Sequence, residues 1–420
     1  MSTITTQQQQ AARNRVSRKQ FTAQLGRNGA TELLATNAPT MAAAATFQMG
    51  NFVTIDRPVV GFMLRSSGRL VVGTAAYTTG VPESFPNLVQ RVFVQGQHVI
   101  WGNTTPWDIS GSTLFSLPLA FQARGNTFLS STTRQGDPGM PFVTTANLIT
   151  TPATGTIDYD VYYWMPCGPY LGASPSSKRY QLDFMWRPED WNGPLIFNVG
   201  MSDNTALGTP AGGTTTTWTA FGAATGTPSL QLFAVYSQLG KARFGYIPGS
   251  NPIMIRNEQS APTLLIAVTS QQTLLAQLQS YITTNIVVKS GILLTGTSAG
   301  VQAFASLSDV QLDQTSVLIG NRYLKNTGSN LAMKSYDGMW MNTTPPQGYF
   351  CLPFTESGNP MTALRADDPS MGINANLQIK TAVLTASANN RQQYLQEYVQ
   401  SAMGQKGAFG PYLPADLLTA

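Results

Sequence analysis

The side chains that could take part in chemistry are few and widely spaced in this 420-residue sequence. Its single histidine, His98, excludes a histidine-rich metal site, and no Ser-His-Asp grouping can be read around it. Asp158 and Asp160 are two residues apart in a strand-like segment, which places both on one face of the strand. A glycosidase needs two carboxyl groups about 5–10 Å apart across a cleft, so solvated acids on a strand face are the favoured interpretation. The sequence predicts no catalytic residue.

The remaining candidate binding groups also have plain structural explanations. Trp186 and Trp191, separated by Arg-Pro-Glu-Asp, could form a platform for a sugar, but aromatic residues of a core or a sheet corner are favoured. Asp367 and Asp368 could bind calcium in a loop, although adjacent acids are common in loops. Cys167, one of two cysteines far apart in the chain, has no basic residue beside it in Pro-Cys-Gly-Pro. We therefore predict no metal, no cofactor and no reactive thiol.

Charge is distributed unevenly along the chain. The net charge is +5, and residues 1–31 hold an excess of five basic residues with no acid, which leaves 20 basic and 20 acidic side chains elsewhere. The basic residues of this arm are Arg13, Arg15, Arg18, Lys19 and Arg27. A neutral body lets many copies pack without repulsion, and a basic arm suits an anionic surface such as lipid headgroups. The arm is predicted to face a membrane or the interior of an assembly. Bridging between subunits is the alternative, and nucleic-acid contact is the least favoured reading, since genome-binding arms are usually denser in basic residues.

The rest of the sequence consists of short strand-like segments. Examples are Val59–Leu64, Ile157–Trp164 and Leu195–Val199, which are rich in Val, Ile, Tyr, Phe and Trp and are bounded by Gly, Pro and Asn. About fourteen to sixteen such segments fit two eight-stranded jelly rolls. The sequence therefore predicts an all-β chain with two jelly-roll β-barrels side by side. We assign residues 1–46 to the basic N-terminal arm, 47–246 to the first jelly roll, 247–385 to the second, and 386–420 to a C-terminal helix and tail.

Three segments have the apolar spacing of a helix and are predicted to be helical. They are Ala11–Leu25 in the arm, Gln272–Tyr281 in the second jelly roll, and the start of the C-terminal region, where Tyr394, Leu395, Tyr398 and Val399 recur at intervals of three to four. Residues 1–20 are polar and lack the apolar stretch of a secretory signal, so the protein is expected to be made and assembled in the cytoplasm.

Several short segments are similar, in the same order along the chain, to one known family. They are Asn87–Val92, Val161–Pro166, Ser177–Phe184, Val235–Gln238, Gly245–Pro248 and Pro346–Cys351, together with the polar, glutamine-rich and basic start. With these segments the chain resembles the double jelly-roll major capsid proteins of tailless icosahedral phages with an internal membrane, the tectivirus type. Residues 137–153, residues 201–229 and the C-terminal region depart from that pattern.

The resemblance implies a structural protein of a bacteriophage virion without enzymatic activity. Three subunits of two barrels each would form a pseudo-hexagonal trimer that tiles an icosahedral shell over an internal lipid membrane. The implied partners are copies of the chain itself in the trimer and in neighbouring trimers, viral membrane lipids, and minor capsid or penton proteins. The arm would lie inside, towards the membrane, and nucleic acid is not an expected partner.

Two other functions are compatible with a neutral all-β chain in which only 11% of residues are charged. One is a carbohydrate-binding or adhesin-like β-sandwich protein, and the other is a jelly-roll glycoside hydrolase. The polar start and the absence of cysteine pairs argue against both, because such proteins are usually secreted. A compact trimer in solution would favour the capsid protein, whereas a glycan-binding monomer would favour the adhesin.

Overall fold

The computed structural model describes the body of the chain and leaves the first 29 and the last 20 residues aside. The described residues are 30–38, 47–72, 89–111, 113–114, 155–168, 184–201, 217–218, 223–236, 251–264, 272–277, 282–296, 302–306, 312–319, 322–327, 349–353, 364–365, 376–383 and 390–400. They form nineteen β-strands arranged in three sheets, with helix limited to single turns. No helix in these ranges has the length and apolar character needed to cross a bilayer.

The first sheet has four strands, and all of its neighbours are antiparallel. In spatial order they are β1 (Ala30–Asn37), β9 (Ala223–Tyr236), β3 (Val59–Val72) and β6 (Gly155–Pro166). Side chains alternate across each strand, as the pleat requires. Phe62 and Leu64 of β3 are fully buried, whereas Met63 and Arg65 lie half-buried on the other face. One face of this sheet is therefore the core face.

The second sheet is long and runs through both halves of the chain. In spatial order its strands are β13 (Gln302–Ser306), β12 (Ile282–Gly296), β19 (Asn390–Gln400), β10 (Ile253–Leu264), β5 (Gly102–Ile109), β4 (Val89–His98), β7 (Leu195–Met201) and β2 (Phe47–Val53). Three further strands pair with β12, namely β8 (Thr217–Trp218), β16 (Tyr349–Pro353) and β17 (Leu364–Arg365). We call strands β1 to β9 the first half and strands β10 to β19 the second half.

The third sheet belongs to the second half and again has four antiparallel strands. In spatial order they are β11 (Gln272–Gln277), β18 (Asn376–Val383), β14 (Leu312–Ile319) and β15 (Arg322–Thr327). Each half thus contributes one four-stranded sheet of its own and a share of the long sheet.

The core of the first half lies between the first sheet and strands β2, β7, β4 and β5. Phe62 of β3 contacts Phe197 of β7 across this space, with ring centroids 4.8 Å apart. The same apolar cluster continues into the second half, where it includes Ile253, Ile255 and Tyr398. Because apolar burial stabilises a fold by roughly 25 cal/mol per Å², a core shared in this way favours folding of the halves together.

Two of the predicted helices are strands in the structure, so those predictions are wrong. The segment beginning at Gln272 is β11, which pairs residue for residue with β18, from Gln272 opposite Thr381 to Gln277 opposite Asn376. The C-terminal segment is β19, inserted between β10 and β12. All six residues from Tyr394 to Val399 are buried, so both faces of the strand are covered and its apolar residues need not alternate. Their spacing then matched a helix by chance. The predicted helix Ala11–Leu25 lies outside the described residues.

Besides β19, which lies within residues 386–420 but pairs with β10 and β12, two strands belong to a different part of the fold from the one assigned from sequence. Strand β1 lies within residues 1–46, yet it pairs with β9 along seven residues and belongs to the first sheet. Strand β8 lies within residues 47–246, yet Thr217 and Trp218 pair in parallel with Thr295 and Gly296 of β12 in the second half. The first half of the sequence therefore contributes a short strand, β8, that pairs with the second half.

Candidate assembly surfaces and the seam between the halves

The backbone joins the two halves over a very short distance. Strands β5 and β10 pair in parallel at only two positions, Arg256 opposite Trp107 and Asn257 opposite Asp108. By comparison, β10 pairs with β19 at nine positions. We call the junction of β5 with β10, together with the side chains that cross it, the seam. Since so few backbone hydrogen bonds cross the seam, its side chains must supply most of its strength.

Arg256 lies at the centre of the seam and is fully buried. Its Nε donates to Oε2 of Glu397 on β19 at 2.8 Å, and its Nη1 donates to the carbonyl oxygen of Pro166 at 2.9 Å. Its Nη2 donates to the carbonyl oxygen of Gly168. The guanidinium also stacks over the ring of Trp107, with its carbon 4.2 Å from the ring centroid. One side chain of the second half thus binds two carbonyls and a tryptophan of the first.

Glu397 is 1% exposed, so the ion pair lies away from water. Its second carboxylate oxygen, Oε1, accepts a hydrogen bond from Nδ2 of Asn285 at 2.8 Å. Each oxygen of the carboxylate and each nitrogen group of the guanidinium therefore has a partner. Removing one member of such a pair leaves a buried charge uncompensated and typically costs about 3–5 kcal/mol. Arg256 and Glu397 therefore have all of these hydrogen-bond partners only when both halves are folded and in contact.

Three further hydrogen bonds, made by two side chains of the second half, link the halves. Glu258 of β10 accepts from the backbone N–H of Ser110 at 2.6 Å and from the hydroxyl of Thr113 at 2.8 Å. These donors belong to the helical turn after β5, in which the N–H of Leu114 donates to the carbonyl of Ser110. At the start of β10, Nδ2 of Asn251 donates to the carbonyl of Met185 at 3.2 Å. Side chains from Asn251 to Glu258 therefore tie the beginning of β10 to the first half.

A short segment, Phe184–Trp191, closes one end of the first half by bonding to both of its sheets. Trp186 exchanges two backbone hydrogen bonds with Val59 at the start of β3, and Trp191 forms a bridge to His98 at the end of β4. The two indole rings are buried and in contact, with centroids 5.1 Å apart. This confirms them as core and corner aromatics, so they offer no exposed platform for a sugar.

His98 is the last residue of β4 and is 1% exposed. Its Nδ1 accepts from the backbone N–H groups of Ile100 and Trp101, each at 3.3 Å, and its ring meets Trp191 edge-on. An Nδ1 that accepts hydrogen bonds carries no proton, so the neutral ring is the form that fits. Burial lowers the pKa of His98 from 6.5 to about 4. His98 is thus a neutral structural residue at physiological pH.

The outward face of the first sheet carries an apolar row that crosses all four strands. Cross-strand pairing places Leu33 of β1 opposite Phe233 of β9, Phe233 opposite Met63 of β3, and Met63 opposite Trp164 of β6. Leu33 is 48% exposed, and the other three are half-buried. Beside the row, Arg65 of β3 donates to Oε1 of Gln231 at 3.0 Å. A row of this kind is unusual on a surface that faces only water.

The outward face of the long sheet has a different character in the first half. Arg91 of β4 binds Asp108 of β5 in a two-point ion pair, with N–O distances of 2.6 and 2.7 Å. Near the β2 end of this sheet, Phe52 is 73% exposed and pairs across the strands with Ile196 of β7. The outward face of the long sheet therefore combines an exposed apolar residue, Phe52, with the paired charges of Arg91 and Asp108.

Most residues proposed from sequence for binding lie outside the described part of the chain. The five basic residues of the arm do so, as do Asp367 and Asp368. Asp158 and Asp160 lie on β6, opposite Arg69 and Ser67 of β3. Among the residues that the structure describes, no group of three or more potential metal ligands is found. The seam pair was missed because nothing in the local sequence links an arginine with a glutamate 141 residues later.

Cys167 is unpaired and buried at the end of β6. Burial raises the pKa of its thiol far above the ordinary range, and this outweighs the opposing effects of a backbone hydrogen bond and of the nearby Arg256 charge. The structure therefore agrees with the expectation that this cysteine is unreactive, although a basic side chain does approach it.

Comparison with known proteins identifies the architecture. No protein-family model matches the sequence, and no curated protein is similar at the sequence level. Solved structures do match. The atomic structure of Sulfolobus turreted icosahedral virus aligns with 93% of this chain and 96% of its own, with a TM-score of 0.54 at 13% identity. The chain has the double jelly-roll fold.

Other structures with this fold cover the chain to a similar extent. The crystal structure of the major capsid protein of the same Sulfolobus virus has a TM-score of 0.52 at 15% identity, covering 91% of this chain and 99% of that one. VP54 of the virus PBCV-1 has a TM-score of 0.53 at 10% identity, covering 89% and 94%. Because the alignments run through both halves, the double jelly roll applies to nearly the whole chain.

Proposed function

We propose that this chain is a major capsid protein that forms homotrimeric, pseudo-hexagonal capsomers and tiles an icosahedral virion shell. The observation that carries the proposal is the long sheet, which joins two jelly rolls into one body. The solved structures that share this fold over at least nine-tenths of both chains come from an icosahedral virus. Three copies of a two-barrel subunit supply six similar barrels, which is the footprint needed to fill a hexagonal position.

The surface chemistry supports repeated contact between identical copies. Outside residues 1–31, basic and acidic side chains are equal in number, so neighbouring copies have no net charge to repel one another. The apolar row of the first sheet and the exposed Phe52 offer surface that gains from being covered. The ion pair of Arg91 with Asp108 keeps its charges internally compensated. Self-association of this chain is the simplest use of these features.

The trimer can be tested by weighing the purified protein. Mass photometry is expected to give a main species at three times 45.2 kDa, and negative-stain microscopy is expected to show compact particles with a six-sided outline. A stable monomer across the micromolar range, with no larger species at high concentration, would contradict the proposal. Binding of that monomer to a glycan array would instead support the adhesin-like alternative, for which the buried Trp186 and Trp191 supply no sugar platform.

We further propose that the arm contacts the lipid of an internal membrane. Each basic residue near an anionic membrane contributes roughly 1 kcal/mol, reduced by salt. The five in the arm give a weak attraction for one subunit and a strong one for a trimer with three arms. Since β1 begins at Ala30, the five basic residues can all be replaced without altering any residue of the first sheet.

The lipid contact is tested by neutralising the arm. We expect replacement of Arg13, Arg15, Arg18, Lys19 and Arg27 by glutamine to leave trimers intact and to abolish cosedimentation with vesicles rich in phosphatidylglycerol at low salt. Replacement of the uncharged run Gln7–Gln10 by serine is the matched control and should bind normally. Equal vesicle binding by the neutralised and unchanged proteins would remove the membrane role and favour bridging between subunits.

We assign no enzymatic activity to the chain. His98 is held neutral by burial and by two backbone donors, and the thiol of Cys167 is buried. The chemistry of the described residues therefore suits a structural component, located in the virion and built in the host cytoplasm.

A further inference from the structure

We propose that Arg256 is the positioning residue that fixes the two jelly rolls as one rigid body, and that the C-terminal strand β19 completes this lock by supplying Glu397. The proposal concerns how a single subunit acquires its shape, so it goes beyond the role in a shell. It rests on the geometry of the seam, where a two-position backbone ladder is reinforced by one buried, fully partnered guanidinium.

The order of strands in the long sheet explains why β19 is needed to hold the two jelly rolls together. Strand β10 pairs with β5 on one side and with β19 on the other, and β12 reaches β10 only through β19. Without β19, the described strands of the long sheet separate into two pieces. Because β19 is also the last of the described strands along the chain, the continuous sheet cannot form until residues 390–400 have been made.

The contacts of Arg256 explain why it fixes the relative placement of the two halves rather than adding much to the free energy of unfolding. A buried ion pair is often no more stabilising than well-packed apolar residues of similar size. It does strongly disfavour every arrangement in which one charge stays buried without its partner. Arg256 is satisfied only when Glu397, the carbonyls of Pro166 and Gly168, and the ring of Trp107 are all in place. These groups come from both halves, so one relative placement of the halves is selected.

The test uses two probes of urea unfolding on the full chain. Five of the seven tryptophans lie at or before Trp191, so tryptophan fluorescence reports mainly on the first half, whereas Trp218 lies on β8, which pairs with β12. Far-ultraviolet circular dichroism reports on strands in both halves. Coincident curves from the two probes indicate a single cooperative unit. We expect the unchanged protein to show coincident curves.

In the variant Glu397→Leu, we expect the curves to separate, with the dichroism midpoint falling below the fluorescence midpoint by at least about 0.5 M urea. The double variant Arg256→Met with Glu397→Leu removes the unpaired charge, so part of the overall stability should return. The curves should still stay apart, because the carbonyls of Pro166 and Gly168 have lost their donor. If Glu397→Leu fails to fold, Arg256→Lys is the milder variant for the same test. It keeps the positive charge but cannot donate to Glu397, Pro166 and Gly168 with the geometry of the guanidinium.

A matched control lies on the same strand. Gln396 donates through Nε2 to the hydroxyl of Thr283 at 2.9 Å, a buried contact made entirely within the second half. Thr283→Val should lower both midpoints together and leave the curves coincident. Coincident curves in the seam variants, or separate curves in the unchanged protein, would overturn the proposal. Mass photometry judges the shell role independently, so either idea can fail while the other stands.

Discussion

At the scale of the residue, His98 links the stability of the first half to acidity. Burial lowers its pKa to about 4, whereas the unfolded chain takes up a proton near 6.5. The contribution of the neutral ring is therefore complete above pH 6.5 and is lost as pH falls towards 4, because protons then favour the unfolded chain.

We predict that the urea midpoint of the unchanged protein falls more steeply between pH 7 and pH 5 than that of His98→Asn. Asparagine retains a side-chain acceptor for the N–H groups of Ile100 and Trp101 but does not titrate in this range. Fluorescence-monitored unfolding at several pH values measures the difference. Parallel midpoints for the two proteins would show that His98 does not carry this pH dependence.

The structural role of a residue could be predicted from sequence where the residue and its neighbours in the chain determine that role. The interpretation of Trp186 and Trp191 as core or corner aromatics follows from their residue type alone. The role of Arg256 does not, because its partners come from strands distant in sequence and its local segment reads as an ordinary strand. Long-range pairing of charges is a property of the fold, and a single sequence gives no periodic signal for it.

At the scale of the element, β9 offers a direct test of which face is buried. Leu232 faces the core and is fully buried, whereas the next residue, Phe233, lies in the outward apolar row. We predict that Leu232→Ala lowers the free energy of unfolding by about 2–5 kcal/mol, because it leaves a cavity in a packed core. Phe233→Ala should cost about 1 kcal/mol or less. Equal losses measured by urea unfolding of the two variants would mean that the register of β9 is wrong.

The difference between strands with one buried face and strands with two explains which strands were predicted from sequence. In β6 and β7, one face is buried and the other is half-buried, so their side chains alternate and both strands were predicted at nearly their observed positions. In β19, neighbours cover both faces, and the alternating signal disappears. Strand β5 was not predicted, since its sequence Gly-Asn-Thr-Thr-Pro-Trp-Asp-Ile has few strand-forming residues and depends on its pairing with β4.

At the scale of the whole molecule, the balance of charge separates two kinds of contact by their response to salt. Contacts between neutral, partly apolar bodies are little affected by ionic strength, whereas contacts of a basic arm with anionic lipid are screened over about 8 Å at physiological salt. We predict that the trimer persists from 50 mM to 1 M NaCl, while vesicle binding is lost within that range. Dissociation of the trimer at high salt, seen by mass photometry, would point to ion pairs as the main force between subunits.

The two-residue strand β8 has a practical consequence for how this chain can be divided. Thr217 and Trp218 precede β10, the first strand of the second half, yet they pair with the end of β12. A split gene cut near residue 246 would encode a second fragment that lacks one of its own strands. When the two fragments are co-expressed, β8 can pair with β12 only if the fragments bind each other. An exchange of the second jelly roll between related proteins therefore has to include β8 as well.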